Sequence, residues 1–176
     1  MSKRTWVTAD PHFGHALMAR LRPFEDHDEA LIERWNSVVG EFDRVYILGD
    51  LSMNRKAITT VGRCHGKKVL VKGNHDMFKL KDYTPYFEDI RAYVVKPKHQ
   101  IVMSHMPIHP QCMGSRYKLN VHGHLHEETI RIDGHTQKDD PTYEDLCETI
   151  ADRRYKCVSM EQTDYRPVNL EEIINA

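Results

Sequence analysis

The chain predicts an α/β fold in which a parallel sheet forms first and a second, smaller sheet is added to it. Three observations carry that reading. Residues 4–71 alternate strand-like and helix-like segments, the order of a parallel sheet with crossover helices. Residues 90–133 and 155–160 hold short strand-like runs with brief connections. Asp10, Asp50, Asn74, His105 and His124 each stand at or just past the C-terminal end of a candidate strand. In α/β sheets the loops leaving adjacent strands converge at that edge, so residues far apart in sequence can surround one point.

Residues 4–9 (RTWVTA) read as the first strand, which stops at Asp10. Residues 28–39 place Leu31, Ile32, Trp35, Val38 and Val39 on one helical face, and the acids Asp26, Asp28 and Glu29 suit a helix N-terminus. Residues 44–48 (RVYIL) form a β-branched and aromatic run ending at Gly49-Asp50. A short helix follows with Ala57, Ile58 and Val61 inward, and residues 68–71 lead as a strand into Gly73. Residues 90–95, 100–103, 119–122 and 129–133 read as strands of the added sheet. Asp139-Asp140-Pro141 reads as a helix start, with Pro at the first helical position and Leu146 and Ile150 one turn apart. The polar stretch 134–140 reads as a loop, residues 155–160 as a late strand, and 170–176 as a terminal helical turn.

Composition narrows the class. The hydrophobic fraction is 40% and the charged fraction 29%, as in an ordinary globular protein, and 176 residues are most simply one domain. Lys plus Arg number 25 against 26 Asp plus Glu, a net charge of -1, which argues against long nucleic acid and membrane surfaces as partners. Cys64, Cys112, Cys147 and Cys157 form no Cys-x-x-Cys pair, the N-terminus has no apolar stretch that reads as a signal peptide, and no apolar run spans a bilayer. The expectation is a cytoplasmic protein with free thiols.

The twelve histidines are the departure from average. Asp10-Pro11-His12, Gly49-Asp50, Gly73-Asn74-His75-Asp76, Ser104-His105 and Gly123-His124-Leu125-His126 follow one another, each beside a strand. Asp, His and Asn supply the oxygen and nitrogen donors that hold divalent first-row metals. A lone Asp-x-His or Gly-Asp is an ordinary turn. Five such pieces in series are not.

That series resembles the calcineurin-like metallophosphoesterase superfamily, whose blocks run D-x-H, G-D, G-N-H-D/E, H and G-H-x-H. The blocks span Asp10 to His126, and their detail is most similar to small stand-alone phosphoesterases of bacteria and phages, as, more loosely, is the closing segment 155–161. The resemblance implies a four-layer α/β/β/α sandwich over residues 1–176 as a single domain, with 134–153 a helical excursion. It implies two adjoining divalent metals, manganese first, with nickel, iron and zinc as alternatives. The first would be held by Asp10, His12, Asp50 and His126. The second would be held by Asp50, Asn74, His105 and His124, with Asp50 bridging. A metal-activated hydroxide would attack phosphorus, His75 would give a proton to the leaving oxygen, Asp76 would hold the His75 imidazole in its tautomer, and Asn74 would also steady the phosphate. The expected activity is hydrolysis of small phosphodiesters, nucleotides among them. The Gly-Asn-His-Asp form is shared with cyclic-nucleotide phosphodiesterases and repair nucleases, and the D-R-G continuation of protein phosphatases is missing after Gly49-Asp50. A phosphomonoesterase or nuclease on the same site is the alternative. A catalytically silent protein-binding scaffold is the alternative of another class, disfavoured because no ligand position is replaced.

Other histidines and one arginine fit blander roles. His15, three residues after His12, reads as a surface or packing residue before a contact to substrate. His122 reads as packing, His109 and Arg116 as solvated loop residues before cleft residues, and His27, His65, His99 and His135 as surface.

Overall fold

A computed structural model describes residues 3–133 and 149–176. The strands, in chain order, are β1 (Thr5–Thr8), β2 (Arg44–Leu48), β3 (Lys67–Val71), β4 (Asp89–Arg91), β5 (Tyr93–Lys96), β6 (Ile101–Ser104), β7 (Leu119–His122), β8 (Arg131–Asp133), β9 (Thr149–Ala151), β10 (Tyr155–Cys157) and β11 (Val168–Asn169). The α-helices are α1 (Ala16–Leu21), α2 (His27–Val38), α3 (Leu80–Tyr83), α4 (Pro110–Met113) and α5 (Leu170–Asn175). A 3₁₀ helix spans Arg55–Arg63 where a short helix is predicted.

One sheet has the order β11-β1-β2-β3-β4, parallel from β1 to β4 with β11 antiparallel at its edge. β2 and β3 are apolar on both faces because both faces are covered. Trp6, Val45, Ile47 and Leu70 meet Leu31, Ile32 and Trp35 of α2 and Ile58 and Val61 of the 3₁₀ helix. Helix α2 starts where Asp26 accepts a hydrogen bond from the Glu29 amide, and the Trp35 indole donates to the His65 carbonyl at 3.0 Å. The opposite face, Val7, Tyr46, Leu48, Val69 and Val71, packs on Ile101, Met103 and Val121 of the second sheet.

The second sheet has the order β10-β7-β6-β5, with only β5 antiparallel. Its outer face carries Asn120, which donates to the Ser104 hydroxyl at 2.9 Å and accepts from the Ile108 amide at 2.9 Å. The β6–β7 crossover with α4 lies over this face, where the Tyr155 hydroxyl donates to the Ile108 carbonyl at 2.7 Å. Four layers result, the last thinned to a single helical turn. A single parallel bridge between Ala9, just past β1, and Ser159, just past β10, joins the two sheets.

Four expectations are corrected. Residues 90–95 are not one strand: the β3–β4 pairing ends at Val71 and Arg91, and after Ala92 the chain joins the second sheet as β5. Residues 129–133 do not extend that sheet, since β8 pairs with β9 as a separate ribbon. Residues 155–160 keep strand geometry only through Cys157, and Met160 opens a 3₁₀ turn. The helical excursion over 134–153 is contradicted at Thr149–Ala151, which is a strand placing Ile150 opposite Ile132. The predicted helix start at Asp139, Asp140 and Pro141, together with Leu146, lies outside the described residues. Among those described, no helix is long and apolar enough to cross a membrane.

Candidate metal centre

The loops leaving β1, β2 and β7 turn sharply. Asp10, His12, Asp50, His124 and His126 all have positive φ, from 50° to 72°. Left-handed backbone at a non-glycine residue costs on the order of 1–3 kcal/mol, and such residues cluster where the surrounding fold over-determines them. Here the bracing is visible. The Asp10 amide donates to the Gly49 carbonyl, the His12 amide to the Asp50 carbonyl and the Gly123 amide to the His105 carbonyl. A Cβ on Gly73 would stand 2.2 Å from Asp50 Oδ1, and one on Gly123 would stand 2.6 Å from Asp10 Oδ2. Both loops therefore need a residue without a side chain to approach the carboxylates.

Two groups of donors converge. Asp10, His12 and His126 form one triad and Asp50, His105 and His124 the other, each with ligand atoms within 4.8 Å of one another. Asp50 lies between them. Its Oδ2 is 3.8 Å from His12 Nε2 and its Oδ1 is 3.4 Å from His105 Nε2. Asn74 Oδ1 sits 2.8 Å from His105 Nε2, so all seven predicted ligands are brought together.

The donors fit divalent cations. Asp10 Oδ1 and both ring nitrogens of His12 are buried with no hydrogen-bond partner. Burial pushes the Asp10 carboxyl up to about 6 even though Ser159 donates to it. Burial and the neighbouring His126 and Arg22 hold the His12 imidazole down at about 2, so it is neutral and able to ligate. Burial likewise lowers His124. Unpartnered, enclosed carboxylate and imidazole atoms facing one another are what a bound cation would satisfy.

His75 and Asp76 follow in the β3 loop. The His75 amide donates to Asp50 Oδ1 at 2.9 Å, and its half-buried ring places Nε2 3.8 Å from Asp50 Oδ2, outside both triads. Asp76 does not hold the His75 imidazole. Its carboxylate accepts from the backbone amides of Asp50, Leu51 and Gly73 at 2.9, 3.0 and 2.8 Å, and it lashes the β2 loop to the β3 loop. Both oxygens face backbone amides of the two loops, and that orientation turns the carboxylate away from the His75 ring.

Residues that the motif reading did not single out support the first triad. Ser159 donates to Asp10 Oδ2 at 2.6 Å beside the His124 amide at 2.9 Å. Glu161 Oε1 is 3.1 Å from His126 Nδ1 and accepts from Arg22 Nε and Nη2 at 2.9 and 2.7 Å. Arg22 also donates to the carbonyls of Pro11 and Asp10 at 2.8 Å each. His27, expected at the surface, is buried against Arg22 Nη1 at 2.9 Å and Asp28 at 2.8 Å. The sole sequence signal for Ser159 and Glu161 is their place in the closing segment 155–161. Nothing local marks Arg22 at the end of α1.

His15 lies half-buried, its ring 5.5 Å from that of His12. His122 is buried packing against Tyr155, and His99 is exposed. His65 is half-buried beside the Val39 carbonyl. His109 is exposed and accepts from the Gln111 amide, capping α4. His135 lies outside the described residues.

Comparison with known proteins follows the same line. Residues 3–167 match the family described as calcineurin-like phosphoesterase. The chain is similar to the Gene 66 protein of Mycobacterium phage L5, 40% identical over 85 residues, covering 41% of this chain and 39% of that protein. The Gene 66 protein of Mycobacterium phage D29 is 30% identical over 159 residues, covering 72% of this chain and 80% of that one. An uncharacterized protein of Methanocaldococcus jannaschii is 29% identical over 191 aligned positions, covering 98% and 90%. The crystal structure of a protein of unknown function from Aquifex aeolicus shares the fold, with a TM-score of 0.71 over 99% of both chains at 23% identity.

Proposed function

The chain belongs to the calcineurin-like phosphoesterase family, and from that premise we propose that it is a metal-dependent hydrolase of small phosphodiesters, nucleotides among them. The observation that carries the proposal is the pair of donor triads meeting at Asp50, with Asp10 Oδ1 and the His12 nitrogens left buried and unpartnered. Asp10, His12, Asp50 and His126 would hold one cation, and Asp50, Asn74, His105 and His124 the other. When bound, two divalent ions supply Lewis acidity toward phosphoryl oxygens and lower the pKa of water. The donor set suits manganese, iron, nickel or zinc, and manganese is our working ion.

The chain's own residues do the rest. The His75 ring is half-exposed, its Nε2 is 3.8 Å from Asp50 Oδ2, and it makes no hydrogen bond to a carboxylate among the described residues, which supports a role in giving a proton to a leaving alkoxide. Asn74 is exposed and can donate its amide hydrogens to a phosphoryl oxygen. Asp76 keeps both in place through the backbone.

A metal-by-substrate screen on metal-stripped protein tests this, with bis-p-nitrophenyl phosphate, p-nitrophenyl phosphate and 2′,3′-cyclic nucleotides. Diester turnover restored by manganese, above monoester turnover, is expected; a reversed kcat/KM preference moves the assignment to a phosphomonoesterase. His75→Ala should keep its metal and lose about 10²–10⁴-fold in rate on an alkoxide leaving group, and much less on p-nitrophenolate. Equal losses on both, with metal lost, would overturn the proton-donor role.

A further inference from the structure

A cleft of about 620 Å³ opens beside the second triad, sharing His105 with it and lined also by Asn74, Tyr93, Ile108, Arg116 and Tyr117. We propose that this cleft binds the retained arm of a phosphodiester and that the arm is a nucleoside. The inference rests on the hydrolase reading above and names its substrate class.

The two oxygens of Asp50 divide the centre. His75 Nε2 and His12 Nε2 are each 3.8 Å from Oδ2, with their ring centroids 5.8 Å apart, so the proton donor belongs to the first-triad side. His105 Nε2 lies 3.4 Å from Oδ1 and 2.8 Å from Asn74, on the other side. Consecutive residues of one loop therefore face opposite ways, His75 toward His12 and Asn74 toward the cleft. The leaving arm must lie next to the proton donor. The cleft starts from the opposite flank, so the arm it receives stays on phosphorus.

The lining selects the chemistry. Tyr93 lines the cleft and is 60% exposed, so much of its aromatic side chain is free for contact. Tyr117 gives a second ring and Ile108 an apolar wall. The exposed Arg116 makes no ion pair or side-chain hydrogen bond among the described residues, and its guanidinium offers donors of the kind the polar edge of a base accepts. A flat ring system with hydrogen-bonding edges uses all four, and base–aromatic stacking is tolerant of which base it is. A small aliphatic arm would use the apolar wall alone. A long nucleic acid would require a basic track, which a net charge of -1 does not provide.

Two substrates with one leaving group isolate the retained arm: thymidine 5′-(p-nitrophenyl phosphate) and methyl p-nitrophenyl phosphate. Wild type is expected to prefer the thymidine ester in kcat/KM. Tyr93→Ala and Arg116→Ala should each shrink that preference, Tyr93→Ala by about tenfold and mainly through KM. Both side chains are exposed, so folding is not at stake. No thymidine preference in wild type, or a preference untouched by both variants, overturns the subsite. Calorimetric binding of thymidine 5′-monophosphate to the manganese-loaded protein separates the two readings. Binding weakened by Tyr93→Ala, with neither ester hydrolysed, supports the cleft and sinks the hydrolase. Hydrolysis of both esters with no thymidine monophosphate binding sinks the cleft and leaves the hydrolase standing.

Discussion

Asp10 is fully enclosed, with Oδ2 held by Ser159 and the His124 amide and Oδ1 without a partner. Because burial raises its acid to about 6, the metal-free fold is fully stable with respect to this group only below the ordinary carboxylate range, and it loses stability as pH rises through about 6. Asp10→Asn is therefore expected to stabilise metal-free protein by roughly 2–3 kcal/mol near pH 7.5, with no gain below about pH 3.5. The same change should empty the first metal position, so thermal melts and metal content must move in opposite directions. Glu161 has the opposite sign. Burial works against its ionisation, yet the His126 hydrogen bond and the Arg22 guanidinium hold its carboxyl down at about 2. Its stabilisation is present above the ordinary carboxylate range and is lost as pH falls toward 2. Glu161→Gln leaves Arg22 buried without a counter-charge and His126 unsteadied. Metal affinity at the first position should fall about 10–100-fold, with the second unchanged, in a competition titration. Equal loss at both positions would make Glu161 a general structural residue.

Strand ends set the geometry at the next scale. β1, β2 and β3 were legible because covered parallel strands read as unbroken apolar runs, and the site loops follow within a few residues of their ends. How those loops turn was not legible. Positive φ at five site residues is imposed by bonds from other loops, such as His12 to Asp50 and Gly123 to His105, whose partners are distant in sequence. Gly73→Ala tests the bracing. Its Cβ would press on Asp50 Oδ1 at 2.2 Å and the Asp50 amide at 2.6 Å, so bound metal and several degrees of melting temperature should be lost. Gly40→Ala, whose nearest atom would be 3.5 Å away, should be close to neutral and serves as its control. The division of 90–95 between two sheets was equally hidden, since both strands share one composition and only pairing separates them.

Across the whole molecule the two sheets meet through the apolar layer of Val7, Tyr46, Leu48, Met103 and Val121, and again at the candidate centre. Asp10 and Asp50 come from loops of the first sheet, His105 and His124 from loops of the second. A bound cation pair would tie one sheet to the other. Chelation should accordingly lower the melting temperature, and a cation at a hundred times its Kd should restore about 2.7 kcal/mol. Asp50→Ala should lose both ions and melt identically with and without chelator; a variant that keeps one ion would show that Asp50 serves a single position.

Residue types and their order determined the family, the α/β class, the seven candidate ligands and His75, because ligand chemistry restricts which side chains can stand at each strand end. Tertiary structure alone decided that Asp76 serves the backbone and not His75, and that Arg22, His27, Ser159 and Glu161 form the support of the first triad. It also decided that Tyr93, Arg116 and Tyr117 share a cleft. The physical reason is the same throughout. A ligand announces itself by its own donor atoms, whereas a supporting residue is defined by its partner, and the partners here lie up to 149 positions away in the chain, as between Ser159 and Asp10.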